Sequence, residues 1–193
     1  MADAAIRWIS PDEYLLAEKE SDQRHEYYAG QVFAMAGASV AHQRIQANLA
    51  RLVGTALRGS PCEPLAGDAR VRVDATGLYT YPDLAITCDA EVDSHIVDTL
   101  LNPIILVEIL SPSTERYDTT TKFDHYAKIP SLREVWFVSQ ERRWVERNRR
   151  FGEGQWLREW HVAGTMEIEE PRMSISIDEV YERVALPENP PLR

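Results

Sequence analysis

A glutamate inside an unbroken apolar run is the feature that most constrains how this chain can fold. The segment 103–110 reads Pro-Ile-Ile-Leu-Val-Glu-Ile-Leu and predicts a strand that is buried on both faces. An ionised carboxylate at Glu108 is costly in such a strand unless a cation or strong hydrogen-bond donors compensate it. A second strand-like run upstream carries Asp83 after Pro82. Two acids on buried strands predict a metal-dependent hydrolytic site.

Length and composition favour one folded domain. The chain has 193 residues, of which 44% are hydrophobic, and this suffices for a substantial core. We expect a single domain over residues 1–193, with a loose Pro-rich tail at about residues 187–193. The N-terminus has no secretory signal, and no apolar run approaches the ~20 residues that cross a bilayer. A cytoplasmic location without membrane association is therefore expected.

Cysteines and charge restrict the class of site. Cys62 and Cys88 form no zinc-like cluster, which favours two reduced thiols and leaves a disulfide open. The net charge of −10 counts against indiscriminate binding of nucleic acid, although carboxylates around a metal would add to it. One candidate phosphate-binding stripe remains: Arg142, Arg143, Arg147, Arg149 and Arg150. An exposed sheet face that carries arginines explains these residues equally well.

Local patterns predict helices and strands around a mixed sheet. Three signals are strongest: a helix capped by Ser10 that runs to about Lys19, a hairpin at Gly30, and a helix from Ser39 to about Arg58. Further strands are expected at 69–74, 78–88, 103–110, 134–139 and 173–177, with a hairpin of 143–149 and 155–162. Asp118 is expected to cap a helix that ends at Pro130, and a short helix should follow at about 178–184. The segment 89–102 is expected to be irregular.

Strand periodicity decides which side chains share a face. Glu108 should point the same way as Leu106 and Leu110, whereas Asp83 should share a face with Ala85. If the two strands are neighbours, both carboxylates can converge on one hard cation such as Mg²⁺. A cation held in this way can polarise a phosphodiester or lower the pKa of an attacking water.

Lys122 is the candidate positive partner of the two acids. On the helix after Asp118 it shares a face with Tyr126 and Ile129, so it can reach the carboxylates from the side packed on the sheet. Its expected role is to hold the attacking water or to stabilise charge that develops on the phosphate. A lysine that extends from the helix edge into solvent is an equally good interpretation.

Three motifs resemble the Uma-two family of bacterial proteins. They are Tyr81-Pro82-Asp83, the run from Val107 to Thr114, and the set of Asp118, Lys122 and Tyr126. Glu26 with Gly30, the stretch from Gly37 to Asn48, and the strand that starts at Glu134 are similar to the same family. The resemblance covers roughly residues 14–147. It implies an α/β restriction-endonuclease-like fold of the PD-(D/E)xK nuclease superfamily: a central mixed sheet flanked by helices, with an additional antiparallel C-terminal hairpin.

The resemblance also implies roles for individual residues. Asp83, Glu108 and the backbone carbonyl of Ile109 would bind Mg²⁺, for which Mn²⁺ could substitute. Leu110 stands where the motif lysine is usual, and Lys122 is similar to the migrated lysine of related nucleases. Glu26 matches an acid that often comes from an N-terminal helix, although it also reads as a solvent-exposed acid beside Arg24.

Two further residues have weaker signals. Asp68 could bind a second metal, but Gly67-Asp68 also reads as an ordinary turn. His42 falls in register with Ile45 and Leu49, so a core histidine or a first-turn hydrogen bond is the default, and a general-base or phosphate role is the sharper hypothesis.

The prediction is therefore a Mg²⁺-dependent endonuclease that acts on DNA, with Asp83, Glu108, Lys122 and Glu26 as catalytic residues. A homodimer is expected from the resemblance and from the apolar late hairpin around Trp156. The main alternative is a non-catalytic dimeric binding or regulatory module on a nuclease scaffold, which the acidic composition and Leu110 favour. A hydrolase of small phosphoesters is a third possibility.

Overall fold

Two six-stranded sheets contain most of the strands in the computed structural model, which describes residues 8–35 and 37–187. The helices are α1 Pro11–Lys19, α2 Val40–Ala56, α3 Glu115–Tyr117, α4 Phe123–Tyr126 and α5 Ile177–Val180, with a π-helical segment at Asp118–Lys122. The first sheet contains β1 His25–Tyr28, β2 Gln31–Ala34, β4 Val71–Val73, β5 Leu78–Thr80, β7 Val92–Asp93 and β8 Thr99–Leu100. The second, central sheet contains β3 Cys62–Ala66, β6 Leu84–Cys88, β9 Pro103–Leu110, β10 Glu134–Ser139, β11 Val145–Gly152 and β12 Gln155–His161.

The central sheet is mixed, as predicted. Its strand order is β12-β11-β10-β9-β6-β3, and only the β9–β10 pair among these strands is parallel. Strands β13 Thr165–Ile168 and β14 Met173–Ser176 form a separate antiparallel pair near the C-terminus. Within residues 8–35 and 37–187, no helix has the length and apolar character to cross a membrane. The predicted C-terminal tail lies, from residue 188 onwards, outside the described residues.

Strand β9 runs through the middle of the core, as its apolar sequence predicts. Val107 belongs to the hydrophobic cluster that also contains Ile45 and Leu49 of α2. Leu106 and Leu110 belong to a second cluster, with Tyr126 of α4. Because alternate residues face opposite sides of a strand, Glu108 points to the α4 side, as expected.

The signals at the N-terminal helices are confirmed. Ser10 and Glu13 form a capping box at α1, where Pro11 is the first helical residue. Ser39 caps α2 by accepting a hydrogen bond from the backbone of His42. The β1–β2 hairpin turns at Gly30, whose φ of 80° is a left-handed conformation that glycine adopts without strain. These local signals fix the ends of the elements that later contribute Glu26 and His42 to the site.

The continuous strand expected over 78–88 is wrong, and so is the predicted start of the helix at Asp118. The first divides at Tyr81-Pro82-Asp83 into β5 of the first sheet and β6 of the central sheet. Pro82 has no N–H to donate to a ladder, so the chain can change sheets there. The helix begins at Glu115 instead, and Asp118 is a buried member of its π-helical segment.

The expectation of two reduced thiols is also wrong. Cys62 lies directly opposite Cys88 in the antiparallel β3–β6 pair, and their sulfur atoms are bonded. Strand β3 was not predicted, because Glu63 and Pro64 are both poor strand residues. The segment 89–102, expected to be irregular, contributes the two-residue strands β7 and β8.

Candidate active site

Four carboxylates gather where β6 begins and β9 ends. Leu84 pairs with Val107, so Asp83, which directly precedes β6, lies beside the Glu108–Ile109 end of β9. Glu26 comes from β1, and Asp118 comes from the π-helical segment. All four side chains are at most 17% exposed. We refer to Glu26, Asp83, Glu108 and Asp118 as the carboxylate cluster.

Lys122 is the cation of this cluster. Its Nζ lies 2.9 Å from Glu26 Oε1 and 2.9 Å from Glu108 Oε1, and 4.0 Å from Asp118 Oδ1. Its side chain is 5% exposed, so the interpretation of a lysine extending into solvent is wrong. Burial opposes its charge, but the negative neighbours, above all Glu108, raise the pKa of Lys122 well above its ordinary value. Lys122 therefore stays protonated between the acids.

Glu108 resists ionisation even beside this lysine. Burial raises the pKa of Glu108 to about 8, and Asp118 and Asp83 add to the shift, while Lys122 opposes it. Tyr126 Oη also donates a hydrogen bond to Glu108 Oε1 at 2.5 Å. Burial raises the pKa of Asp118 in the same direction. The positive charge of one ammonium group therefore does not fully compensate the carboxylates around it.

Asp83 is held by donors from two elements. Its Oδ1 lies 2.9 Å from His42 Nε2, in the first turn of α2, and its Oδ2 accepts the backbone N–H of Ile109 at 2.6 Å. The N–H and C=O of a strand residue point to the same side, so the carbonyl of Ile109 also faces the side of Asp83. The default prediction for His42 is a core histidine or a first-turn hydrogen bond. The structure instead joins it to a predicted site residue.

Glu26 and Asp68 have different surroundings. Glu26 lies on strand β1, which corrects the expected helical position, and Thr80 Oγ1 donates to its Oε1 at 2.5 Å. The alternative prediction for Glu26, a solvent-exposed acid beside Arg24, is wrong, because its side chain is 13% exposed and contacts Lys122. Arg24 pairs instead with Asp68, whose side chain is 70% exposed. The structure does not bring Asp68 to the carboxylate cluster, and its metal role stays a prediction.

The donor set suits a hard divalent cation. In the described residues, no group of three or more His, Cys, Asp or Glu side chains is already arranged to hold a metal ion. The chemistry nevertheless fits, because the cluster offers carboxylate oxygens, and in the described residues only Lys122 and His42 pair with them as possible cations. Additional positive charge would favour the ionised form of Glu108, which burial alone disfavours.

The candidate phosphate stripe is largely neutralised within the protein. Arg147 binds the buried carboxylate of Glu134 through two nitrogen atoms, and Arg143 binds Asp178. Arg150 donates to backbone carbonyls. The other two members also have neighbours: Arg149 lies 3.6 Å from Glu169, and Arg142 stacks over Trp144. The stripe is therefore not an open basic surface for a duplex.

Comparisons with known proteins agree with this architecture. Residues 11–175 match the model of the Uma2 family, described as "Putative restriction endonuclease". An uncharacterised protein of Synechocystis, slr1290, is 34% identical over 92% of this chain and 93% of its own length. A second Synechocystis protein, sll1609, is 29% identical over 91% of this chain and 99% of its own length.

A solved structure is similar over nearly the whole fold. It is that of "a putative nuclease belonging to DUF820" from Anabaena variabilis, with a TM-score of 0.74 and 17% sequence identity. The similarity covers 92% of this chain and 99% of the other. The predicted restriction-endonuclease-like α/β fold is thereby confirmed.

Proposed function

The chain belongs to the Uma2 (Uma-two) family, and on that premise we propose that it is a Mg²⁺-dependent endonuclease that hydrolyses phosphodiester bonds of DNA. The observation that carries this proposal is the convergence of three side chains from separate elements. Lys122 contacts Glu108 directly, and Asp83 is fixed on the backbone of Ile109, the next residue of β9. The proposal for DNA comes from the family and not from the fold alone, because one fold can host many activities.

The proposed metal ligands are Asp83, Glu108 and the carbonyl of Ile109. Bound Mg²⁺, or Mn²⁺ in its place, supplies Lewis-acid polarisation of the phosphodiester and a lowered pKa of the attacking water. Asp68 is proposed at most as a ligand of a second ion, since it lies outside the cluster.

The chain's own residues would position and stabilise the reacting groups. Lys122 is proposed to orient the water and to stabilise negative charge on the phosphate, because its ammonium is buried and stays protonated. Glu26 would hold Lys122 in place through its contact of 2.9 Å, and His42 would hold Asp83 in the same way. Leu110 packs in the core, so a lysine at that position is replaced in function by one from the following helix.

A homodimer is also proposed. Strand β12 is an edge of the central sheet and carries exposed apolar side chains, of which Leu157 is 41% and Trp160 is 59% exposed. Unpaired sheet edges with apolar side chains are common sites of association. Light scattering of the purified protein, which gives its mass, should show twice the mass of one chain. The expected cytoplasmic location stays a prediction.

Cleavage of plasmid and oligonucleotide DNA with Mg²⁺ or Mn²⁺ tests the proposed activity. We expect metal-dependent cutting that Asp83→Ala and Lys122→Ala each reduce at least ~100-fold, as loss of one strong electrostatic group usually does. Lys128→Ala is the matched control, because Lys128 is exposed near the end of the same helix. Undiminished activity in both site variants would mean a contaminant or a misplaced site. DNA binding without any metal-dependent cutting would favour the non-catalytic binding module.

A further inference from the structure

Two exposed aromatic side chains flank the carboxylate cluster. Phe33 of β2 lies directly opposite Glu26 of β1, so both side chains point to the same side of their sheet. Phe33 is nevertheless 49% exposed. Tyr117, which directly precedes Asp118, is 40% exposed. One exposed ring thus lies on the strand that pairs with β1, and the other directly precedes the π-helical segment that supplies Asp118.

Tyr117 directly precedes the buried Asp118 in the chain. Burial of its hydroxyl raises the pKa of Tyr117 to about 12, and the charges of Glu26, Asp118 and Glu108 influence the same group. Because Tyr117 is 40% exposed, its side chain is accessible to a ligand beside the site.

Arg116 adds a cation directly before Tyr117 in the chain. Its side chain is exposed, and within residues 8–35 and 37–187 it forms no ion pair. Most other arginines near the sheets form ion pairs with acids or donate hydrogen bonds to backbone carbonyls. One exposed guanidinium can bind one phosphate, but it cannot replace the broad basic surface on which binding of duplex DNA depends.

The combination suits unpaired nucleotides better than a closed duplex. In a duplex the bases are stacked inside, and a protein gains affinity chiefly through phosphate contacts. In a single strand each base exposes a π-face that can stack on an aromatic side chain. A chain with a net charge of −10 and two open rings beside its cluster is therefore equipped for the second kind of contact.

We propose that Phe33, Tyr117 and Arg116 form a binding surface for single-stranded DNA beside the carboxylate cluster, and that the preferred substrate has unpaired nucleotides at the cleavage site. Phe33 and Tyr117 stack on bases, while Arg116 contacts a phosphate. These residues determine substrate preference and take no part in the chemical step. The inference rests on the proposed function, which it extends by naming the strand state of the substrate.

Fluorescence anisotropy with labelled DNA tests the inference directly. The probes are an oligothymidylate of about 20 nucleotides, which exceeds the ~4–16 nucleotides that one binding fold covers, and a duplex of equal length. Binding is measured with Ca²⁺ in place of Mg²⁺ to limit cutting. The single strand should bind at least ~10-fold more tightly, and Phe33→Leu and Tyr117→Leu should each weaken it about 5-fold to 150-fold.

Matched controls separate this surface from aromatic or basic residues in general. Phe151 is 77% exposed on β11, at the opposite end of the central sheet from Glu108, so Phe151→Leu should leave binding unchanged. Arg116→Ala should weaken binding, whereas Arg58→Ala should not. Arg58 is exposed just beyond the far end of α2, about 24 Å along that helix from His42.

Each outcome has a defined meaning. Equal or tighter binding of the duplex would overturn the inference, and so would Phe33→Leu and Tyr117→Leu variants that bind like Phe151→Leu. If the wild type cuts duplex DNA but ignores these substitutions, the inference fails and the proposed nuclease function stands. If the wild type neither binds nor cuts either probe, both fail together.

Discussion

Glu108→Gln is expected to stabilise the metal-free protein at neutral pH, because it replaces a buried acid that resists ionisation. Burial raises the pKa of Glu108 from an ordinary 4.5 to about 8. A carboxyl group whose pKa is higher in the folded state than in the unfolded state does not change the free energy of unfolding below its unfolded-state pKa. As the pH rises towards its folded-state pKa, the group lowers that free energy. The free energy of unfolding of the wild type should therefore decrease over the interval from about pH 4.5 to about pH 8.

The size of the effect follows from the shift. Each pKa unit corresponds to about 1.4 kcal/mol, so ionisation linkage at Glu108 lowers the stability of the wild type by about 3 kcal/mol at pH 7. Above pH 8 this loss of stability approaches a limit of about 5 kcal/mol. Glutamine keeps the shape of the side chain, and its amide oxygen can still accept the hydrogen bond of Tyr126. Only the ionisable group is removed.

Denaturant unfolding in EDTA, followed from about pH 4.5 to about pH 8, measures this difference. The stability of Glu108→Gln relative to the wild type should grow by about 3 kcal/mol between pH 4.5 and 7. Glu153→Gln, in the exposed turn between β11 and β12, is the matched control. Its free energy of unfolding should change with pH in the same way as that of the wild type. Parallel curves for Glu108→Gln would refute the reasoning, since they would mean that water reaches the Glu108 carboxylate freely.

Two further substitutions test the surroundings of the site. His42→Ala should weaken binding of Mn²⁺ by about 10-fold to 100-fold in calorimetry, because His42 orients the proposed ligand Asp83, and unchanged affinity would contradict that role. Arg147→Met should cost about 3–5 kcal/mol in urea unfolding, because it leaves the Glu134 carboxylate buried without its cation. Arg143→Ala, which breaks an exposed pair, should cost at most about 1 kcal/mol, and equal losses in the two arginine variants would contradict the distinction.

Features that depend on neighbouring residues in the chain could be predicted from the sequence. The apolar run around Glu108 is a buried strand, and the caps at Ser10 and Ser39 start helices. The break at Pro82 and the pairing of Cys62 with Cys88 escaped prediction. Both depend on which strands become neighbours, and a local pattern of polar and apolar residues does not contain that information.

The same limit applies to the site. Glu108 and Lys122 were identifiable, the first because a charge interrupts an apolar run and the second from its helix face and the family resemblance. The sequence predicts a core histidine or a first-turn hydrogen bond for His42, because it is in register with Ile45 on the buried face of α2. His42 reaches Asp83 only because the first turn of α2 lies where β6 begins. Asp118 was read as a helix cap, although its spacing of four residues from Lys122 was a usable signal for a shared face.

A comparison of two buried glutamates favours the enzyme over a non-catalytic module. Glu134 is satisfied within the fold, since Arg147 binds it through two nitrogen atoms and Trp136 Nε1 donates to it at 2.7 Å. Glu108 shares its single cation with Glu26, and at 4.0 Å with Asp118. A buried acid with only a structural role is stabilised best by full pairing of the first kind. The incomplete compensation at Glu108 lowers the stability of the metal-free protein and is relieved by added positive charge, as a site for a divalent cation requires.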